Sequence, residues 1–277
     1  MKLFGHKPTP TAWVGMFIVG VFVFVAIFAP WIAPYSESDS VSDTWDPPSW
    51  QFWLGTDNIG RDLLSRVMFG ARTTIGVALM TTILSFLLGT TMGIWAAVGG
   101  KVVDQVLSRI VDVMLSIPLL VFALIVLSMF GSSLPALILT IAVLDSTRVF
   151  RLARAVATNL VVLEYVEAAT LRGEGIWWII RREILPNALP PMISEFGLRF
   201  CFNFLFVASL SFLGLGIQPP LADWGGMVRD NGRAISFGLT APLWPAMAIA
   251  TMTIGVNLIV DWILSINARP SGASAEL

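Results

Sequence analysis

The sequence predicts an all-α integral membrane protein with six transmembrane helices and both termini in the cytoplasm. Three observations carry this. Hydrophobic residues make up 56% of the chain and charged ones only 13%, against about 25% charged in a typical soluble domain. Several uncharged runs exceed the roughly 18 apolar residues of a membrane span. A buried helix of a soluble protein would keep a polar face, which these runs lack. Finally, the basic residues are unevenly shared between alternate loops.

The first uncharged run extends from Thr9 through Tyr35, after Lys2 and Lys7. Its apolar part, Trp13 to Trp31, exceeds the roughly 7–15 residues of a signal-peptide core. Ala29-Pro30-Trp31 is also a poor cleavage context, so a retained span is expected, with the two Trp at the interfaces. A second span is expected from Ile75 to Val98. After Asp57-Asn58-Gly60-Asp62, which lacks the ligand spacing of a calcium loop, Leu63, Leu64, Val67, Met68 and Ala71 form an apolar stripe. They read as an interfacial helix leading into span two.

The run between Asp112 and Asp145 holds thirty-two residues, long for one span and short for two. Its middle, Gly131-Ser132-Ser133-Leu134-Pro135, carries a helix stop, a cap and a first-turn proline. A tight hairpin of two spans follows, each extended into its charged flank. The last two runs are Phe200–Ala222 and Ala234–Val260.

Six spans place Lys2, Lys7, Lys101, Arg109, Arg148, Arg151, Arg154, Arg172, Arg181, Arg182, Arg199 and Arg269 on one side. Arg61, Arg66, Arg72, Arg229 and Arg233 lie on the other. The richer side is cytoplasmic by the positive-inside rule. Five spans would export the seven arginines of residues 145–199. The chain divides at residue 72: residues 1–72 hold the first helix and an external segment, and 73–277 hold five helices and a cytoplasmic loop, 147–199.

Net charge is −1, which gives no pull toward nucleic acid. The single Cys201 and single His6 exclude an intrachain disulfide and offer neither a zinc cluster nor a Cys/His nucleophile pair. Cys201 lies in an apolar run and reads as a small buried hydrophobe. Span interiors carry Ser, Thr, Asn and Gln, with Asp261 as a borderline ionisable group. That argues against a secondary transporter, which places ionisable groups inside its spans, and no constellation for an intramembrane enzyme is visible.

The charged stretch Glu164–Asn187 breaks this apolar pattern. Glu164 to Arg172 contains good helix formers, with Val162, Tyr165, Val166 and Ala169 on one face. Gly173 and Gly175 bracket Glu174 and break the helix. Trp177 to Arg182 suits a second short helix, limited by Pro186. On these residues alone, docking onto a protein and lying on lipid are equally supported.

Glu167-Ala168-Ala169, then after three residues Gly173, and after nine more Glu183-Ile184-Leu185-Pro186, resemble the EAA loop of permease subunits of bacterial ABC importers. Glu183 stands where that family often has Ile or His. Leu54-Gly55-Thr56-Asp57-Asn58-Ile59-Gly60-Arg61-Asp62 and Ser211-Phe212-Leu213-Gly214-Leu215-Gly216-Ile217-Gln218-Pro219-Pro220, followed by Trp224-Gly225, are similar to the dipeptide, oligopeptide and nickel permeases, most of all their second, C-type subunit.

The resemblance implies an ATP-driven import permease in the bacterial inner membrane. Its cargo would be di- or oligopeptides, alternatively nickel or another small solute. The implied partners are a second homologous permease, two cytoplasmic ATPase subunits, a substrate-binding protein and membrane lipid. Glu167, Ala168, Ala169, Gly173, Leu185 and Pro186 would couple to the ATPase. Asn203, Ser209 and Asn257 are candidates for lining the pathway. No cofactor is expected in this chain, because Gly99-Gly100-Lys101-Val102 lacks the first Gly and the Ser/Thr of a phosphate-binding loop. ATP and Mg would be held by the partners.

Overall fold

A computed structural model describes residues 8–267; Lys2, His6, Lys7 and Arg269 lie outside them. Every regular element among the described residues is a helix, apart from isolated β-bridges at Ser40–Arg61 and Thr56–Asp62. Among the described residues, four helices are long and apolar enough to cross a membrane: Pro10–Ile32, Leu63–Val98, Ile176–Phe212 and Leu243–Ile266. A bent pair, Lys101–Ser116 with Leu119–Phe130, would make a fifth.

Helix α1 (Pro10–Ile32) begins where Thr9 accepts a hydrogen bond from the Ala12 amide at 3.3 Å, with Pro10 in the first turn. Trp13 and Trp31 are both exposed. Helix α2 (Leu63–Val98) begins at Asp62, whose carboxylate accepts from the Ser65 amide at 2.8 Å and the Ser65 hydroxyl at 2.6 Å. The stretch expected as an interfacial helix leading into span two is continuous with that span: residues 63–71 are the first turns of α2, and residue 72 lies within it. The reason is tertiary. Leu63, Ser65, Arg66, Gly70 and Ala71 are buried, and Arg61 and Arg66 both face the buried carboxylate of Asp57, at 2.6 and 3.3 Å.

Helix α3 (Lys101–Ser116) is amphipathic and ends before Ile117-Pro118, where the chain turns by 89° into α4 (Leu119–Phe130). The first limb of the expected hairpin is thus a broken helix rather than a straight span, because Pro118 cannot continue α3. The turn of the hairpin forms as expected. Gly131 ends α4 at φ +83°, and the Ser133 hydroxyl caps α5 (Leu134–Val161) by accepting from the Ala136 amide at 3.4 Å.

The chain continues through α6 (Glu164–Leu171), α7 (Ile176–Ile179), a π-helical turn (Ile180–Ile184) and α8 (Leu185–Phe212). Pro186 does not end the second short helix, contrary to expectation. The wide turn closes with the Leu185 amide donating to the Ile180 carbonyl, and Pro186 falls in the first turn of α8, where its missing N–H costs little. The result is one helical run from Ile176 to Phe212. Helix α9 (Trp224–Asp230), a 3-10 turn (Gly232–Phe237) and α10 (Leu243–Asn267) complete the fold.

Helices α2 and α5 pack through small residues. A Cβ on Gly89 would lie 2.6 Å from the Ser146 carbonyl oxygen, and one on Gly93 2.7 Å from the Ala153 Cβ. This four-residue spacing of glycines brings two backbones together inside a bilayer. At the end of the bundle that holds the 33–62 segment, Trp224 is fully enclosed. Its amide donates to the Thr74 hydroxyl at 3.1 Å and its indole to the Val67 carbonyl at 2.9 Å. Phe22 and Phe204 meet its ring edge-on. Beside it, Asp223 caps α9 through the Gly226 amide, and burial pushes its carboxyl above the usual carboxylate range. Asn231 ties the 33–62 segment down by accepting from the Trp45 indole and the Asn58 amide, at 3.2 and 3.0 Å.

Candidate functional site

The stretch between α5 and α8 is built from an anchored face and an exposed face. Val166 and Ala169 of α6, with Ile179, Ile180 and Ile184, form one apolar cluster with Ile94 of α2 and Ala157 of α5. Trp177 packs beside Trp95, ring centroids 5.6 Å apart. Anchoring residues on both sides of the elbow hold the loop against the ends of two long helices. Removing this apolar area from water stabilises it by about 25 cal/mol per Å².

The elbow is a helix stop of defined geometry. Arg172 ends α6, and Gly173 sits at φ +83°. The Glu174 amide donates to the Ala169 carbonyl at 3.2 Å and the Gly173 amide to that of Thr170 at 3.0 Å. This pair of bonds is the Schellman arrangement, which requires a left-handed residue at Gly173. Gly175 has an ordinary extended φ of −73° and caps α7. Only one of the two expected breaker glycines therefore uses a positive φ.

Of the residues picked out in this loop, Glu167, Ala168, Gly173, Leu185 and Pro186 are exposed, whereas Ala169 is fully buried. Ala169 holds the loop in place and the others lie on its outer surface. Leu171 and Trp177 are apolar and exposed, at 82% and 65%. Sequence reading passed over Leu171, although its offset from the Val166–Ala169 stripe marks it as outward-facing. Val162 and Tyr165, expected on the apolar face, are exposed instead. Val162 is the C-cap that follows α5, outside the helix whose face it was assigned to. The Glu183 carbonyl accepts from the Asn187 side chain at 2.6 Å.

The three pathway candidates do not form one site. Asn203 is fully enclosed, its amide donating to the Thr82 hydroxyl at 3.1 Å and to Asp145 at 3.0 Å. Ser209 is exposed and borders an apolar cleft of about 490 Å³ with Leu120, Leu205, Phe212 and Val228. Asn257, on α10, is exposed and accepts from the buried Cys201 thiol at 3.5 Å.

Asp145, expected to bound an apolar run, is an ionisable group enclosed within the helix bundle. It lies near the middle of α5. The Ser85 hydroxyl donates to it at 3.1 Å, and Arg199 of α8 lies 3.5 Å away. A lone carboxylate there would be costly; these partners, more than fifty positions away, make it tolerable.

The family comparisons agree with this geometry. A profile described as "Binding-protein-dependent transport system inner membrane component" matches residues 89–269. One for the N-terminal transmembrane domain of oligopeptide transport permease C matches residues 9–48. The dipeptide transport system permease protein DppC of Alkalihalophilus pseudofirmus is 35% identical over 257 residues, 92% of this chain and 84% of the relative. DppC of Escherichia coli is 36% identical over 262 residues, with 92% and 87% covered. The di/tripeptide permease DppC of Pseudomonas aeruginosa is 34% identical over 254 residues, with 89% and 84% covered. A crystal structure of an amino acid ABC transporter with histidines shares the fold, at TM-score 0.55 and 20% identity over 72% of this chain and 92% of that one. On these matches, the chain belongs to the family of binding-protein-dependent transport system inner membrane components, the permease subunits of ABC importers.

Proposed function

We propose that this chain forms half of the translocation pathway of an importer carrying di- or oligopeptides across a bacterial inner membrane. It pairs with a second, homologous permease. Two cytoplasmic ATPase subunits bind ATP and Mg, and a substrate-binding protein delivers the cargo. The chain crosses the membrane six times with both termini inside, α5 serving as a span despite Asp145, Arg148, Arg151 and Arg154. The peptide cargo is supported by the DppC relatives, whose names give dipeptides and di/tripeptides.

One observation carries the coupling reading. Helix α6 is seated by Val166 and Ala169 while Glu167, Ala168, Leu171 and Arg172 stand free on its other face. Charged and apolar side chains side by side on an exposed surface suit a protein groove, and the same charges would be costly within lipid. ATP binding closes the ATPases on each other and moves α6. Because α6 is bracketed by α5 and the Ile176–Phe212 run, the movement passes into the spans.

The test is co-purification of the ATPase subunits with the permease, measured with peptide uptake. Glu167→Lys reverses the charge of an exposed docking residue and should weaken both while leaving membrane insertion intact. Unchanged attachment and uptake in Glu167→Lys and in a Leu171→Asp variant would overturn the docking surface.

A further inference from the structure

Arg199 lies between two carboxylates on different helices. Its Nε donates to Glu195 Oε1 at 2.6 Å, one turn back on α8. Its Nη1 lies 3.5 Å from Asp145 Oδ1 on α5. Asp145 is fully enclosed, while the Arg199 and Glu195 side chains each keep 20% of their exposure. Asp145 Oδ1 has no hydrogen-bond partner; its Oδ2 accepts from Ser85 and Asn203. Phe202 covers the cluster, with the Arg148 and Arg199 guanidinium carbons 4.5 and 5.7 Å from its ring centroid.

The cluster divides along the α5–α8 boundary. Helices α2 and α5 are locked by Gly89 and Gly93, so Ser85 and Asp145 belong to one body. Glu195, Arg199 and Asn203 belong to α8. A simple buried ion pair across this boundary would resist separation, because parting it strands two bare charges. Here the guanidinium leaves already paired with Glu195, and Asp145 keeps the Ser85 hydroxyl. Of the two arginine contacts the interhelical one is the longer, and the intrahelical one is short and charge-assisted; parting the helices also breaks the Asn203 bonds to Asp145 and Thr82, at 3.0 and 3.1 Å.

We propose that Arg199 is a two-position latch and Asp145 its seat: together they hold α5 and α8 closed, and Glu195 retains Arg199 when the helices part during transport. Asp145, Glu195 and Arg199 are positioning residues for the transport cycle. The latch sits on the two helices that flank the α6 loop, and so rests on the coupling reading. Movement of that loop is what would release it, turning Asp145 toward an opened pathway.

The test uses the complete transporter in lipid vesicles with radiolabelled dialanine as cargo. ATP hydrolysis and uptake are measured per assembled complex, with and without the binding protein. Asp145→Asn keeps the side chain's shape and removes the seat. Hydrolysis without binding protein should rise and dialanine carried per ATP should fall, each about tenfold, the response of a two-state equilibrium to loss of one partly buried ion pair. Glu195→Gln removes the alternative partner and should do the opposite to hydrolysis, slowing it together with uptake by about the same factor while the ATPases stay attached.

The latch is overturned if both variants keep the wild-type ratio of uptake to hydrolysis and the wild-type hydrolysis without binding protein. It is also overturned if the two variants shift that hydrolysis in the same direction, which a merely structural role would produce. Failure of the coupling reading is read separately, from ATPase attachment in loop variants.

Discussion

Replacing Gly173 with valine perturbs the backbone of the coupling loop and almost nothing around it. Gly173 holds φ +83°, and a Cβ built there would meet no atom within 4 Å. Any loss therefore comes from conformation and not from crowding. A left-handed residue costs a non-glycine side chain roughly 1–2 kcal/mol, and more when it is β-branched. At about 1.4 kcal/mol per tenfold, the elbow loses a factor of roughly 5–30 or more in favour of other conformations. The bonds at stake are those from the Glu174 and Gly173 amides to α6, which fix where α6 ends. Attachment of the ATPases should weaken by a similar factor, measured as an apparent Kd between solubilised permease and ATPase. The spans are untouched, so membrane expression should be unchanged. Gly175→Ala is the control: Gly175 also has open space around it but an ordinary φ of −73°, so its cost should stay under about 1 kcal/mol. Gly173→Asn should fall between the two, because Asn tolerates the left-handed region. Equal affinities for Gly173→Val and Gly175→Ala would refute the claim that the elbow's backbone sets the docking geometry.

Three further outcomes are expected. In a Cys201→Ala background, a cysteine at Ser132 should react with an impermeant reagent added to intact cells, and one at Thr170 should not; equal labelling of both would defeat the six-span arrangement. Gly93→Leu drives a side chain into Ala153 and the Phe150 carbonyl and should cost about 1–3 kcal/mol, read as a lower melting temperature in detergent. Gly76→Leu, which meets nothing within 4 Å, should leave that temperature nearly unchanged. Asn231→Ala removes the acceptor shared by Trp45 and Asn58, at about 0.5–1.5 kcal/mol for each hydrogen bond; limited proteolysis within residues 33–62 should speed up, and an unchanged cleavage rate would show that other contacts hold the segment.

Local chemistry determined much of this protein from the sequence alone. The first span, the end of α2 at Val98 and the Gly131–Ser133 turn follow from apolar runs, a capping hydroxyl and a helix-stopping glycine. Each depends on neighbours only a few positions away. The outward display of Glu167 and Ala168 beside the buried Ala169 likewise follows from helical period once α6 is placed. Tertiary structure decided the rest. Pro186 stops no helix, because a π-helical turn precedes it and a new first turn receives it. Residues 63–71 are continuous with α2, and Arg61 and Arg66 are accommodated at its start by sharing the buried carboxylate of Asp57. Asp145 looked like the end of a span because a charge in an apolar run is costly by itself. It lies inside the bundle because Ser85, Arg199 and Asn203 arrive from two other helices to satisfy it. The cost of burying a charge is set by partners remote in sequence, and hydropathy read along the chain contains no term for them.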